Sequence, residues 1–301
     1  KDNGEKFTIN FPQISVNQTI TMQDARDIFE RIEAAKNRND SETLLKTLNS
    51  PPEAIVSVAM RAMTLSGNIR GVDIDIDSEL PPQVSLGLSS SISTALSAAI
   101  IGIEDEDTSL RRISETALFG DFIAHGGVPS GIDTTTTTYG RYVRFRKSYG
   151  PKILKINTEL PLVIGNTQVP VNTGEQIISV KRLYQENQKE VDAWLWEMNQ
   201  TAEEGTKALQ NNDFEDIAFN INKNQELLRH LKVSHPKIEE LILAALHAGA
   251  PAAKLSGAGG GGVMFALCTD EHQQKEVASA IESAGGQAII TRTGVDGVKM
   301  E

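Results

Sequence analysis

Four glycines in succession, Gly259-Gly260-Gly261-Gly262, stand directly ahead of Val263-Met264-Phe265-Ala266-Leu267, a run that reads as a buried strand. Glycine in regular structure costs roughly 0.5–1 kcal/mol relative to alanine. Such a run therefore marks a loop that comes close to a ligand or to another backbone segment. Together with Gly257 and Ala258 it is suited to cradle phosphate through backbone N–H groups. A second segment, Gly87-Leu88-Ser89-Ser90-Ser91, follows a strand and a polar turn and opens into the small-residue helical run from Ile92 to Ile100. A helix N-terminus carries unpaired donors and about half a positive charge, so it holds phosphate without a lysine. Its serines would add a phosphate contact or a magnesium ligand, or serve as caps. A third segment, His125 to Asp133, sets Asp133 behind the tight Pro129-Ser130-Gly131 turn and ahead of a threonine run, which makes that carboxylate a candidate catalytic residue. Two phosphate-compatible loops and one fixed acid point to phosphoryl transfer.

Composition narrows the partners. With 301 residues and 39% hydrophobic content, the chain buries a sizeable core and divides more naturally into two domains than one. The formal net charge is -11, with acidic clusters at Asp73-Asp75-Asp77 and Glu104-Asp105-Glu106-Asp107 instead of basic stripes, so no nucleic-acid partner is expected. An anionic substrate would be repelled by this field, and local donors with a divalent cation must reverse its sign where the substrate binds. The single cysteine, Cys268, permits no internal disulfide, fits a reducing compartment and reads as strand core. No apolar run reaches about 20 residues and no signal-peptide pattern opens the chain, so the expectation is a cytoplasmic protein with no membrane partner. The chain opens at Lys1 without methionine and enters a strand almost at once, which suggests a segment upstream.

Strands and helices alternate throughout. Thr21 and Asp24 mark a helix start, and Met22, Ala25, Ile28, Phe29, Ile32 and Ala35 recur at helical spacing to about Lys36. Pro51 to Leu65 has few charges and predicts a helix packed on most sides. Val72, Ile74 and Ile76 alternate with three aspartates, as in a half-exposed strand. A helix from Ser109 to Ala124 ends near Asp121 and His125, whose i, i+4 spacing places both on one face. That pair does not make a zinc site, whereas a lone Asp121 suits magnesium. Thr134 to Thr138, then Tyr139, Val143 and Phe145, reads as a strand, because β-branched and aromatic residues favour one. Turn residues around Lys147 to Pro151 place a boundary that gives domains 1–155 and 156–301. The second half predicts helices over a sheet, with Trp194 and Trp196 as packing anchors and Lys254 as a solvated strand-end lysine.

These residues resemble the GHMP small-molecule kinases, and among them most closely the mevalonate kinases. The similarity rests on Pro81-Pro82 leading into Gly87 to Ser91, on His125 to Asp133 followed by Thr138-Tyr139-Gly140, on Asn166 to Thr173, and on Lys254 to Gly262. It covers most of the chain. The resemblance implies an α+β, two-domain GHMP kinase fold, the N-terminal domain like domain 2 of ribosomal protein S5 and the C-terminal domain ferredoxin-like. It also implies ATP-dependent phosphorylation of mevalonate to 5-phosphomevalonate in isoprenoid biosynthesis, with ATP and Mg2+ as cofactors and a homodimer as the assembly. By the same resemblance, Asp133 is the catalytic aspartate beside the accepting hydroxyl. Ser91, or Ser90 if the register is one residue shorter, contacts the β/γ-phosphates and magnesium within the Gly87-Leu88-Ser89 segment. Asp121 stands where the family has a magnesium-binding glutamate, and Gly257, Ala258, Gly259 and Gly260 shape the cleft near the phosphates. The family's opening Pro-Gly-Lys and Gly-Glu-His segments, the source of a lysine near the aspartate, are absent from this sequence. Two alternatives remain: another member such as phosphomevalonate kinase, whose substrate needs basic residues not clustered near Pro129, and a catalytically silent ligand-binding relative.

Overall fold

Phe7, Ile9 and Phe11 alternate with polar residues along one strand, and all three are buried. The sheet they belong to contains β1 (Asp2–Gly4), β2 (Lys6–Phe11), β3 (Val16–Thr21) and β4 (Gly71–Asp75) in the order β1-β4-β2-β3. Only the β2–β4 pair is parallel. The computed structural model describes residues 2–4, 6–80, 86–102, 106–127, 129–146, 148–156 and 158–300. Pro81 to Ser85, Val128 and Lys147, which the sequence reading used for turns, lie outside the described residues.

Helices pack against that sheet and against one another. α1 (Met22–Asn37) begins at Thr21, whose hydroxyl accepts the Asp24 N–H at 3.1 Å, the cap that the sequence predicts. α2 (Ser41–Leu48) was not anticipated; Asp40 caps it through the Thr43 N–H. α3 (Pro51–Ser66) buries Ile55, Val56, Val58, Met60 and Met63, which accounts for its scarcity of charge. α4 (Leu88–Ile101) packs on α3 and on α5 (Glu106–Ala124). A Cβ at Gly120 of α5 would lie 1.9 Å from the Ser93 Oγ of α4, so a glycine is what lets these helices approach.

The threonine run is a helix, which corrects the expected strand: α6 spans Ile132–Tyr139, and the strand starts only at β5 (Tyr142–Arg146), paired with β6 (Gly150–Leu154). Gly131, at φ +80°, turns the chain into the helix. Thr136, Thr137 and Thr138 then direct their hydroxyls back to the carbonyls of Ile132, Asp133 and Thr134. Local hydrogen bonding and tertiary packing override β-propensity here.

A second sheet holds β7 (Pro161–Asn166), β8 (Ala252–Ser256), β9 (Val263–Leu267) and β10 (Gln287–Arg292), antiparallel in the order β10-β7-β9-β8. Its helices are α7 (Thr173–Glu186), α8 (Gln188–Asn211), α9 (Phe214–His230), α10 (Pro236–His247) and α11 (Glu271–Ser283). Val163, Leu255, Met264 and Cys268 share one core with Ile238, Leu241, Val277 and Ile281. Cys268 is thus core, as expected. Trp194 packs against that core and stacks on His230, with ring centroids 5.1 Å apart. Trp196 is not an anchor: it is 66% exposed, because two positions along a helix turn a side chain to another face.

One compact unit gathers β1 to β6 with α1 to α6, and another gathers Lys155–Val295. From Asp296 the tail rejoins the first unit, where Asp296 pairs with Arg141 and the Val298 N–H donates to the Thr138 carbonyl at 3.2 Å. Among the described residues, no helix is long and apolar enough to cross a membrane.

Candidate active site

Gly87 occupies the left-handed region at φ +75° and caps α4, so Ser89, Ser90 and Ser91 belong to the first helical turn and not to a loop. The N–H groups of Leu88, Ser89 and Ser90 lead the helix and have no preceding turn to bond. The serines diverge. Ser89 is exposed, and Ser91 returns its hydroxyl to the Gly87 carbonyl at 3.0 Å. Ser90 points inward, 1% exposed, and donates to Oδ1 of Asp121.

Asp121 has no exposed surface on α5. Its second oxygen, Oδ2, accepts from the Thr134 hydroxyl, with the Thr134 N–H at 3.4 Å. One residue each from α4, α5 and α6 therefore meets at a buried carboxylate. Thr134, which sequence reasoning missed as a site residue, could have been found only by knowing that its segment is helical. His125 does not join Asp121 side chain to side chain: its Nδ1 lies 2.9 Å from the Asp121 backbone carbonyl, a helix-end contact.

Asp133 precedes Thr134 in the first turn of α6 and is exposed as a residue. Its carboxyl nevertheless loses enough hydration to raise its pKa from the ordinary aspartate value. The charge of Asp121 adds to that rise, and His125 opposes it. The result is a proton acceptor made more basic than an ordinary aspartate.

Among the described residues, no group of three or more His, Cys, Asp or Glu side chains gathers to hold a metal. A magnesium ion asks for less: hard oxygens, one or two carboxylates, and the rest from water and phosphate. Asp121 with the Ser90 hydroxyl fits that donor set. Ser91 shares no hydrogen bond with Asp121 in the structure and bonds Gly87 instead.

The glycine loop is shaped by the protein's own backbone. The Gly260 N–H donates to the Val233 carbonyl at 2.8 Å and the Gly262 N–H to the Val169 carbonyl at 3.0 Å. A Cβ at Gly259 would sit 2.2 Å from the Val233 carbonyl oxygen, and one at Gly261 2.7 Å from that of Val169. Close approach of another backbone segment, one of the two readings of the sequence, is thus present. Gly257 differs: at φ +83° it has nothing within 4 Å of an added Cβ. Among the described residues, Gly257, Ala258, Gly259 and Gly261 donate no backbone hydrogen bond. Unpaired main-chain donors on a loop fixed at Gly260 and Gly262 are of the kind that suits an anion.

Lys254 is not the solvated lysine the sequence suggests. Its Nζ donates to the Leu255 carbonyl at 2.7 Å and lies 5.4 Å from the centre of the Phe265 ring. Burial pushes its pKa down to about 8.

Residues 53–141 match the GHMP kinases N terminal domain, and residues 206–287 match GHMP kinases C terminal. The chain is 32% identical over 236 residues to the mevalonate kinase of Pyrococcus abyssi, covering 77% of this chain and 69% of that protein. The Methanococcus jannaschii mevalonate kinase crystal structure superposes with a TM-score of 0.76 at 19% identity, covering 98% of this chain and 87% of that one. The L. major mevalonate kinase solved with R-mevalonate gives 0.74 at 22% identity, covering 81% and 78%. The two-domain α+β architecture is that of these kinases, and the chain belongs to the GHMP kinase family, in its mevalonate kinase branch.

Proposed function

We propose that this protein transfers the terminal phosphoryl group of ATP to the primary hydroxyl of mevalonate, giving 5-phosphomevalonate. The observation that carries the reading is the carboxylate pair in one helical cluster: Asp121 buried between Ser90 and Thr134, and Asp133, the sequence neighbour of Thr134, exposed and with its pKa raised from the ordinary aspartate value. The 32% identity to a mevalonate kinase over most of the chain supports the choice of acceptor.

Phosphoryl transfer needs positioning and charge neutralisation more than covalent chemistry. Asp133 accepts the hydrogen bond of the attacking hydroxyl, orients it, and takes its proton as the bond to phosphorus forms. The free N–H groups at the start of α4 and in the 257–261 loop are donors suited to phosphate oxygens. Asp121 and Ser90 would hold magnesium, which when bound neutralises phosphate charge. Thr134 keeps the Asp121 carboxylate oriented. On the family resemblance alone, we place the enzyme in the cytoplasm as a homodimer.

A coupled ADP-release assay with mevalonate, phosphomevalonate and galactose tests the acceptor, and mevalonate is expected to give the highest kcat/KM. Asp133→Ala is expected to abolish turnover while leaving ATP binding by calorimetry nearly intact. Wild-type turnover in that variant would refute the assignment.

A further inference from the structure

Behind the glycine loop stands a charged cluster that the chemistry above does not use. Glu239, in the first turn of α10, accepts from Arg229 of α9 through both carboxylate oxygens, with Nε at 3.0 Å from each and Nη2 2.8 Å from Oε2. Its Oε1 also accepts from Ser234 and, at 2.9 Å, from Gln225. The cluster reaches the loop twice. Gln225, 1% exposed, accepts the Leu255 N–H at 2.9 Å on its Oε1, two residues before Gly257. Val233, the neighbour of Ser234, receives the Gly260 N–H and stands against Gly259.

Anchored fork-to-fork carboxylate geometry is specific and strong, so Glu239 fixes the turn between α9 and α10, and that turn carries the acceptor for Gly260. We propose that Glu239 is a positioning residue for nucleotide binding, acting through Gln225 and the Val233 carbonyl to hold the 257–262 loop in its phosphate-accepting shape. This rests on the reading of that loop as a phosphate site. Misplacing preorganised donors weakens what they bind without altering the chemistry of the acceptor.

The test uses Glu239→Gln, which keeps the shape of the side chain and removes its charge, and Ser234→Ala, which removes one donor. The control is Asn222→Leu, on the helix that carries Gln225 and Arg229. Asn222 bonds the same strand, at the Pro251 carbonyl and the Ala253 N–H, but does not touch the loop. Glu239→Gln is expected to raise the KM for ATP on the order of tenfold. It should leave the KM for mevalonate and kcat within about twofold and quicken amide exchange at Gly260 and Gly262. Ser234→Ala should do the same more weakly. Asn222→Leu should lower Tm without moving either KM. Unchanged amide exchange in a folded Glu239→Gln protein, or an equal rise in the ATP KM of the control, would overturn the positioning role itself. Quickened exchange with an unchanged ATP KM would overturn the reading of the loop as a phosphate site, and the proposal with it.

Discussion

Ser90 and Asp121, 31 positions apart, share a hydrogen bond inside the packing of α4 and α5. Because Thr134 occupies the other carboxylate oxygen, Asp121 sits buried between two hydroxyl donors. Replacing it with asparagine puts an N–H2 group against one of those hydroxyls. Asp121→Asn is expected to destabilise the protein by about 1–3 kcal/mol, as a buried polar group loses its partner. The variant should also need more magnesium for half-maximal turnover. Urea unfolding and a magnesium titration check both, and wild-type values in each would remove Asp121 from the site.

The raised pKa of Asp133 has consequences of opposite sign for rate and for stability. The folded protein holds the carboxyl proton more tightly than the unfolded chain, whose aspartates titrate near about 3.9. Stability from this group is therefore full below that value and is lost as pH rises through the folded pKa. At pH 7 the charged Asp133 works against the fold. Asp133→Asn should unfold no earlier than wild type at pH 7 while losing roughly 10²–10⁴ in kcat. The acid limb of kcat/KM should have its midpoint above the ordinary aspartate value, read directly from a pH–rate profile.

Gly259 and Gly257 share a positive φ but not a neighbourhood. Gly259→Ala drives a methyl into the Val233 carbonyl and should destabilise well beyond the roughly 1 kcal/mol expected from backbone strain alone. Gly257→Ala meets open space and should cost only about that strain. Equal melting temperatures for the two variants would contradict the contact with Val233.

Lys254 gives a stability signature on the alkaline side. Its folded pKa of about 8 lies below the unfolded value near 10.4, so the unfolded chain binds more protons between them. Stability should rise as pH climbs from about 8 to 10, the full penalty being present below that window. Lys254→Met should flatten this rise and raise Tm at pH 7, as thermal unfolding across the pH range would report.

The periodic elements were legible because their signals are local. The Thr21 cap, the apolar sides of α3 and the core role of Cys268 follow from residues within one turn or strand. The Thr134 to Thr138 segment was not legible, since its helix depends on the turn at Gly131 and on Asp121, 13 residues earlier. The glycine loop announced itself, but its partners did not. Val233 and Val169 lie far away in sequence and contribute main-chain oxygens, which no side-chain pattern encodes. For the same reason Glu239 carried no motif: its significance arises only where α9 turns into α10.

The outer strand of the second sheet has a further property. Asn222 and Gln225 occupy the main-chain N–H groups of Ala253 and Leu255, and Asn222 also donates to the Pro251 carbonyl. Sheets left open at that border recruit stray chains and aggregate. Here amide side chains of a neighbouring helix imitate a missing strand. At this rim a stranger finds those main-chain groups already taken.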